Sequence, residues 1–418
     1  MYQKTTLDNG VRIISERLPS ATAALGIWID AGSRDEAAAE AGCAHFVEHM
    51  LFKGTAGRSA QQIARELDGL GGMSNAFTSK ENTCLYATVL DRHLPRLAEL
   101  LSDLFLNSAY DPEELQRERQ VILQEISMVE DTPDDQIHDL FTALVWPGHP
   151  MGREVLGNRG SVEVLDSERL QDFVRRHYTA DRIVITAAGN VDHQELCGLF
   201  VARFGALAAR GSDVTIRNKP PGITPGQRVV GKPLEQVHLI TGGPGLSAAS
   251  DERYTLYLLN ILLGGNMSSR LFQEVREKHG LAYSIFSYIA AFVDCGYVGI
   301  YLGVDQQEVN RAMAMVNKEI TRMWTEVAST AEMTNAREYA KGIMYLSAEN
   351  MESRMTRLAH NEFQFGRHIP VEEVAAAIDG TTAEEVAALA GHLFHGTAMS
   401  TVVLGPITQD ALGWAKDS

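Results

Sequence analysis

Cysteine is scarce in this chain. Its 418 residues hold four (Cys43, Cys84, Cys197 and Cys295), with no CxxC spacing among them. Neither a disulfide framework nor a thiolate metal site is indicated, since the four lie far apart and lack the spacing by which such sites are read. Also missing is any apolar run near the ~18 residues of a membrane span. The opening residues, MYQKTTLDNGVRIISERLP, carry neither the apolar core of a signal peptide nor an Arg- and Ser-rich presequence. A cytoplasmic protein without a membrane span is the expectation. Positive charge is short as well: 37 Lys and Arg stand against 54 Asp and Glu, a formal charge of −17. This argues against a nucleic-acid or anionic-membrane partner and permits a basic peptide. The pieces GLGG (69–72), GGPG (242–245) and LGGN (263–266) lack phosphate-loop spacing and read as tight turns.

What remains is an ordinary globular composition, 45% hydrophobic and 22% charged. A single core usually stops growing at roughly 250–300 residues, so two domains are expected. TAALGIWIDAG (22–32) reads as a strand, and residues 40–54 have helical spacing. SAQQIARELDGLGG (59–72) reads as a helix with Ser59 as its N-cap. SNAFTSKENTCLYATVL (74–90) reads as two strands, and RHLPRLAELLSDLFLN (92–107) as a helix. Asp111-Pro112 opens another helix, running to about Glu130. The Gly-, Pro- and polar-rich stretch at 209–227 marks a boundary, giving domains 1–210 and 227–418 joined by a linker at 211–226. Beyond it QVHLITGGPGL (236–246) answers TAALGIWIDAG. A helix, a Gly264-Gly265 turn, the helix SSRLFQEVREKHG and two strand runs then follow. The repeated order predicts an α+β fold of two similar, duplicated domains, each a mostly antiparallel sheet packed with helices.

The chemistry centres on His45-Phe46-Val47-Glu48-His49. On a helix of ~100° per residue, the two histidines fall about 40° apart and Glu48 about 60° from His45 on its other side. Two neutral imidazoles one turn apart can take two corners of a tetrahedral zinc site. The carboxylate between them is placed to take a proton from an attacking water. A third ligand is needed, and ERQVILQE (118–125) offers Glu118 and Glu125, two turns apart and pointing the same way. Taken alone, that segment reads as a solvated acidic face, because Glu113, Glu114 and Glu130 are also in it. From spacing alone Arg276 reads as a surface helix charge and Tyr283 as a strand core residue. His392 and His395 have no carboxylate partner in a ligand pattern and read as structural.

HFVEHMLFKGT, GGMSNAFTSKENTCLYATVL and ERQVILQEISMVEDTPDD together resemble the pitrilysin-type, inverted-zincin peptidases. The likeness is to their short two-domain members, such as the catalytic subunit of mitochondrial processing peptidase and its bacterial relatives. It implies a zinc metalloendopeptidase with one Zn²⁺ held by His45, His49 and Glu125, Glu48 as general base and Glu118 as a supporting carboxylate. It implies that Arg276 and Tyr283, in VREKHGLAYSI, contact the substrate and its reacting carbonyl. It implies further that the strand holding Asn75, Ala76 and Phe77 binds an extended peptide by its main chain. Long members carry four such domains, so a chain with two is expected to pair with a copy of itself or a relative. Arg276 and Tyr283 would then serve the partner's zinc. A non-catalytic structural or regulatory subunit is the rival reading, and such relatives typically lack the ligands.

Overall fold

The computed structural model describes residues 1–209, 217–397 and 399–416. Positions 211–216 of the expected linker lie outside the described residues. In the first half, β1 (Tyr2–Thr6), β2 (Arg12–Arg17) and β3 (Thr22–Ile29) precede α1 (Cys43–Leu51) and α2 (Ala60–Gly69). The hairpin β4 (Met73–Thr78) and β5 (Thr83–Leu90) leads to α3 (Leu94–Asn107), α4 (Pro112–Asp131) and α5 (Pro133–Val145). Helices α6 (Arg159–Val164) and α7 (Ser167–His177), strand β6 (Ile183–Gly189) and α8 (His193–Phe204) complete it. The second half runs β7 (Gln227–Gly231), β8 (Val237–Pro244), α9 (Arg253–Leu263), β9 (Ala282–Ala291) and β10 (Gly296–Val304). Then come α10 (Val309–Thr325), α11 (Thr330–Ala348), α12 (Met351–Phe365), α13 (Val371–Gly380), α14 (Ala383–Phe394) and β11 (Ser400–Gly405).

The sheets are ordered β1-β2-β6-β3-β5-β4 and β7-β11-β8-β10-β9. With β1 set aside, both orders are the same: the first, last, second, fourth and third strand of each half. The pairs β2–β6 and β7–β11 are parallel, and the other strand pairs are antiparallel. This is the duplicated, mostly antiparallel α+β architecture that the repeated element order predicts.

Each central strand is apolar on both faces because helices cover both. Ala23, Leu25, Ile27 and Ile29 of β3 face a core shared with α1, α3, α4 and α8. Ala24 and Trp28 face the other way, onto Met355, Leu358 and Ala359 of α12. In the second sheet Val237 and Leu239 of β8 face the larger core, and Ile240 packs with Ile137, Phe141 and Val145 of α5. Close approach of these covering helices needs glycine beneath them. A Cβ on Gly26 would lie 2.5 Å from the Met355 sulfur, and one on Gly242 would lie 2.5 Å from the Phe141 ring.

The chain forms two compact units, and neither is a contiguous half. The first comprises residues 1–128, 153–218 and 346–368; the second comprises 129–152, 219–345 and 369–418. Helix α12 thus comes from the second half to cover the first sheet, and α5 from the first half covers the second. A single cut at 211–226 leaves each unit without one of its covering helices. A second difference lies at Phe272–Lys278, where the segment expected as an α-helix is wound as a π-helix.

Candidate metal centre

Helix α1 is entered through Gly42, whose φ of 90° is left-handed and whose hydrogen faces the Leu156 carbonyl, 2.6 Å from where a Cβ would sit. Glycine has no side chain to cap the helix, and a distant residue does so. The buried Glu36 carboxylate accepts from the backbone N–H of Gly42 at 3.0 Å and of Ala44 at 2.8 Å. Arg153 in turn donates to the Glu36 carbonyl. Burial pushes the Glu36 carboxyl up to about 8, against the pull of those two N–H groups and of Arg153 and Lys80. Sequence reasoning missed Glu36, since its charged loop reads as solvent-exposed.

On α1, Cys43, Ala44, Phe46, Val47, Met50 and Leu51 are buried in the core, which leaves His45, Glu48 and His49 on the open face. Opposite them lies α4, capped by Asp111, whose Oδ1 accepts from Glu113 N at 2.9 Å and Glu114 N at 3.1 Å. Leu115, Glu118, Ile122 and Ile126 form its buried stripe, and Val121 and Met128 are exposed on the side of Glu125.

The two helices bring His45, His49 and Glu125 together. His45 Nε2 and His49 Nε2 are 3.3 Å apart, and Glu125 Oε2 is 3.7 Å from the first and 3.5 Å from the second. Donors about 2.0–2.1 Å from a tetrahedral Zn²⁺ are separated by about 3.3–3.4 Å, so these three atoms suit one face of such a site. Among the described residues this is the one group of three or more His, Cys, Asp or Glu so clustered. Burial, and secondarily His49, holds the His45 imidazole down to about 3, so the ring is neutral and its lone pair available.

Glu118 sits on the far side of His49: its Oε2 is 3.0 Å from His49 Nδ1, and its Oε1 is 2.6 Å from Lys53 Nζ. A carboxylate on Nδ1 fixes the tautomer that presents Nε2. His45 has no such support, since its Nδ1 is buried without a hydrogen-bond partner among the described residues. Its ring is instead held edge-on to His49, with centroids 4.6 Å apart.

Glu48 Oε2 accepts from Thr78 Oγ1 at 2.6 Å. Burial raises the Glu48 carboxyl and Glu125 adds to the rise, while Thr78 and His49 oppose it. Thr78 ends β4, the edge strand of the first sheet. Asn75, Ala76 and Phe77 lie on the same strand, but strand alternation divides their side chains. Ala76 packs on the main core, whereas Phe77 turns to the other face, 5.6 Å from the Trp28 ring. Phe77 can therefore meet a ligand at the metal face only through its main chain.

Arg276 and Tyr283 belong to the second unit, where they stand together. The guanidinium lies 5.3 Å from the Tyr283 ring centroid and 4.7 Å from that of Phe272. Tyr283 is 78% exposed, so the strand-core alternative for it does not hold.

Residues 12–159 match the model of the insulinase family (peptidase family M16), and residues 165–339 that of the peptidase M16 inactive domain. A Mycobacterium tuberculosis protein named as an uncharacterized zinc protease is 39% identical over 408 residues, 97% of this chain and 93% of its own length. Another of that description, from Bacillus subtilis, is 38% identical over 395 residues, 94% of this chain and 96% of its own. The fold matches a crystal structure described as a peptidase M16 inactive domain from Pseudomonas fluorescens, with a TM-score of 0.90 at 20% identity over 97% of this chain and 98% of the other. It also matches a protease from Helicobacter pylori, with a TM-score of 0.91 at 20% identity over 97% and 99% of the two chains. Those two likenesses speak for the fold, and the full-length relatives for descent: this chain belongs to the insulinase-type M16 peptidase family.

Proposed function

We propose that this chain is a zinc metalloendopeptidase that cleaves extended or unfolded peptides, basic ones among them. In this reading His45, His49 and Glu125 hold one Zn²⁺, Glu48 is the general base and Glu118 orients His49. The observation that carries it is the triangle of donor atoms within 4.8 Å of one another, with Glu48 on the same open face of α1. When bound, zinc supplies Lewis acidity and lowers the pKa of water toward neutrality. Glu48 takes the proton of the attacking water and later delivers it to the leaving amine. Its burial suits the role, since desolvation raises the carboxyl above its ordinary value and so makes its ionised form a stronger base toward the water's proton.

Arg276 and Tyr283 would steady the carbonyl oxygen as it gains charge. The π-helical winding around Arg276 supports this, since such segments gather at functional sites. They would do so across a pair of chains, identical or related, each serving the other's zinc. Four free cysteines suit the reducing cytoplasm, and no helix among the described residues is long and apolar enough to cross a membrane. A non-catalytic subunit is the weaker reading, because a purely structural role needs neither Glu48 nor its hydrogen bond.

The peptide would add to the outer edge of β4 through the main chain of Asn75, Ala76 and Phe77. Only an extended segment can do so. A reduced and alkylated protein should be cut at least ~10-fold faster than the same protein in its native state, because β-augmentation admits only free strands. Mass spectrometry of the products checks this and maps the sites. Equal rates on both forms would remove the edge strand from the mechanism, and absence of cleavage by zinc-loaded protein would favour the non-catalytic subunit.

The two carboxylates of α4 are separable. Glu118→Gln should weaken zinc binding ~10–100-fold, the usual effect of losing an outer-shell partner. Glu125→Gln should weaken it more, since an amide oxygen is a poorer ligand than a carboxylate. Competition with a chromogenic chelator reads both. A larger loss from Glu118→Gln would exchange their roles.

A further inference from the structure

The hydrogen bond between Thr78 and Glu48 joins two parts of the site that the sequence motifs treat separately: the edge strand and the base. Thr78 stands opposite Thr83 in the β4–β5 pair, and the two hydroxyl oxygens are 3.5 Å apart. Thr83 is buried in the sheet and spends its proton on the Ala31 carbonyl at 3.0 Å. It therefore has none to give Thr78. The single proton of Thr78 is directed to Glu48 Oε2, at 2.6 Å. The donor is also rigid. A β-branched side chain on a paired strand has few χ1 states, whereas Glu48 has three rotatable bonds and reaches out from α1. With Oε2 held, the carboxylate is restricted in its rotation, and Oε1 is the oxygen with both lone pairs left to receive a proton.

We infer that Thr78 is a positioning residue for the reaction: its hydroxyl fixes the Glu48 carboxylate so that the free oxygen faces the attacking water. This rests on Glu48 being the base, as proposed above. Alternation along β4 sends the side chains of Ala76 and Thr78 to the face of the sheet that packs on α1, and those of Asn75 and Phe77 to the other. Thr78 is thus the β4 side chain that can act on Glu48, while its neighbours can act on a peptide through their main chain. Valine at this position keeps the shape and strand propensity and removes only the donor.

Four variants test the inference in the zinc-loaded, full-length protein, with a quenched-fluorescence peptide as substrate. Thr78→Val should lower kcat ~10–100-fold, the scale of losing an orienting partner, with zinc content kept and KM little changed. Thr78→Ala, which also lacks the hydroxyl but leaves space, should show the same kcat loss. Thr78→Ser, which restores the hydroxyl, should recover most of the rate. A merely structural role would not single out the donor in this way. In a Glu48→Gln background Thr78→Val should cost nothing further, because the group it positions is already inert. Wild-type kcat in Thr78→Val and Thr78→Ala would overturn the inference. So would a Thr78→Ser enzyme as slow as Thr78→Val, or a full additional loss in the Glu48→Gln background. Should Glu48→Gln itself be fully active, it is the underlying assignment of the base that falls.

Discussion

Stripped of metal by a chelator, the protein should lose peptide hydrolysis completely and regain it on addition of Zn²⁺. His45→Ala should bind no zinc and show no activity that zinc restores. The reason lies in the donor triangle. Two imidazole nitrogens and one carboxylate oxygen 3.3–3.7 Å apart are spaced for a small tetrahedral cation. Two nitrogens and one oxygen favour zinc over the harder calcium and magnesium. Because burial keeps His45 neutral, a proton does not compete for its nitrogen at working pH. Roughly one zinc per chain is expected by atomic absorption, since a catalytic site of three protein ligands holds one ion. Metal removal should also lower Tm, because an ion that binds only the folded state stabilises it by mass action. Full activity in verified metal-free protein would end the zinc hypothesis.

Much of this site can be read in the sequence because helical spacing is a strong constraint. His45, Glu48 and His49 share one face by their spacing, and the structure leaves that face open while burying Phe46 and Val47. The third donor of the triangle is different. Five glutamates run from Glu113 to Glu130; spacing points to Glu118 and Glu125 but does not choose between them. The α4 burial stripe makes the distinction: Glu118 falls within it, beside Leu115 and Ile122, and reaches the Nδ1 side of His49. Glu125 lies toward the exposed Val121 and Met128 and reaches the Nε2 side of both histidines. In the sequence only the resemblance to the pitrilysin-type peptidases separates these two.

Long-range partners are the part that sequence conceals. Apolar periodicity reports that a helix buries a face but not which sheet receives it, so the crossing of α5 and α12 between units leaves no local trace. Glu36 is hidden for a similar reason. Its loop, GSRDE, is charged and short, and nothing in it shows that the carboxylate turns inward to cap a helix that begins at Cys43. Thr78 left a faint signal. Strand alternation puts it on the face of Ala76 and away from Phe77, and that face packs on the helix bearing Glu48.

Glu48→Gln should keep its zinc and its fold and lose at least ~10² in kcat, the scale of removing a general base. Glutamine matches the shape of glutamate, and its amide oxygen can still accept from Thr78, so the local packing survives. It cannot take up a proton, so the water is left to attack unassisted. Neither histidine nor Glu125 is altered, and metal affinity should stay within a few-fold of wild type, on the scale of about 1 kcal/mol or less. Glu48 lies on the open face of α1 with its Oε2 already engaged by Thr78, which separates its part from that of the three donors. Zinc analysis, a thermal melt and steady-state kinetics on one preparation distinguish the outcomes. If the variant lost zinc, Glu48 would be a ligand and the base would lie elsewhere. If it kept zinc and nearly full kcat, the proton would travel by another group, and neither Glu48 nor the hydrogen bond that holds it would take part in the reaction.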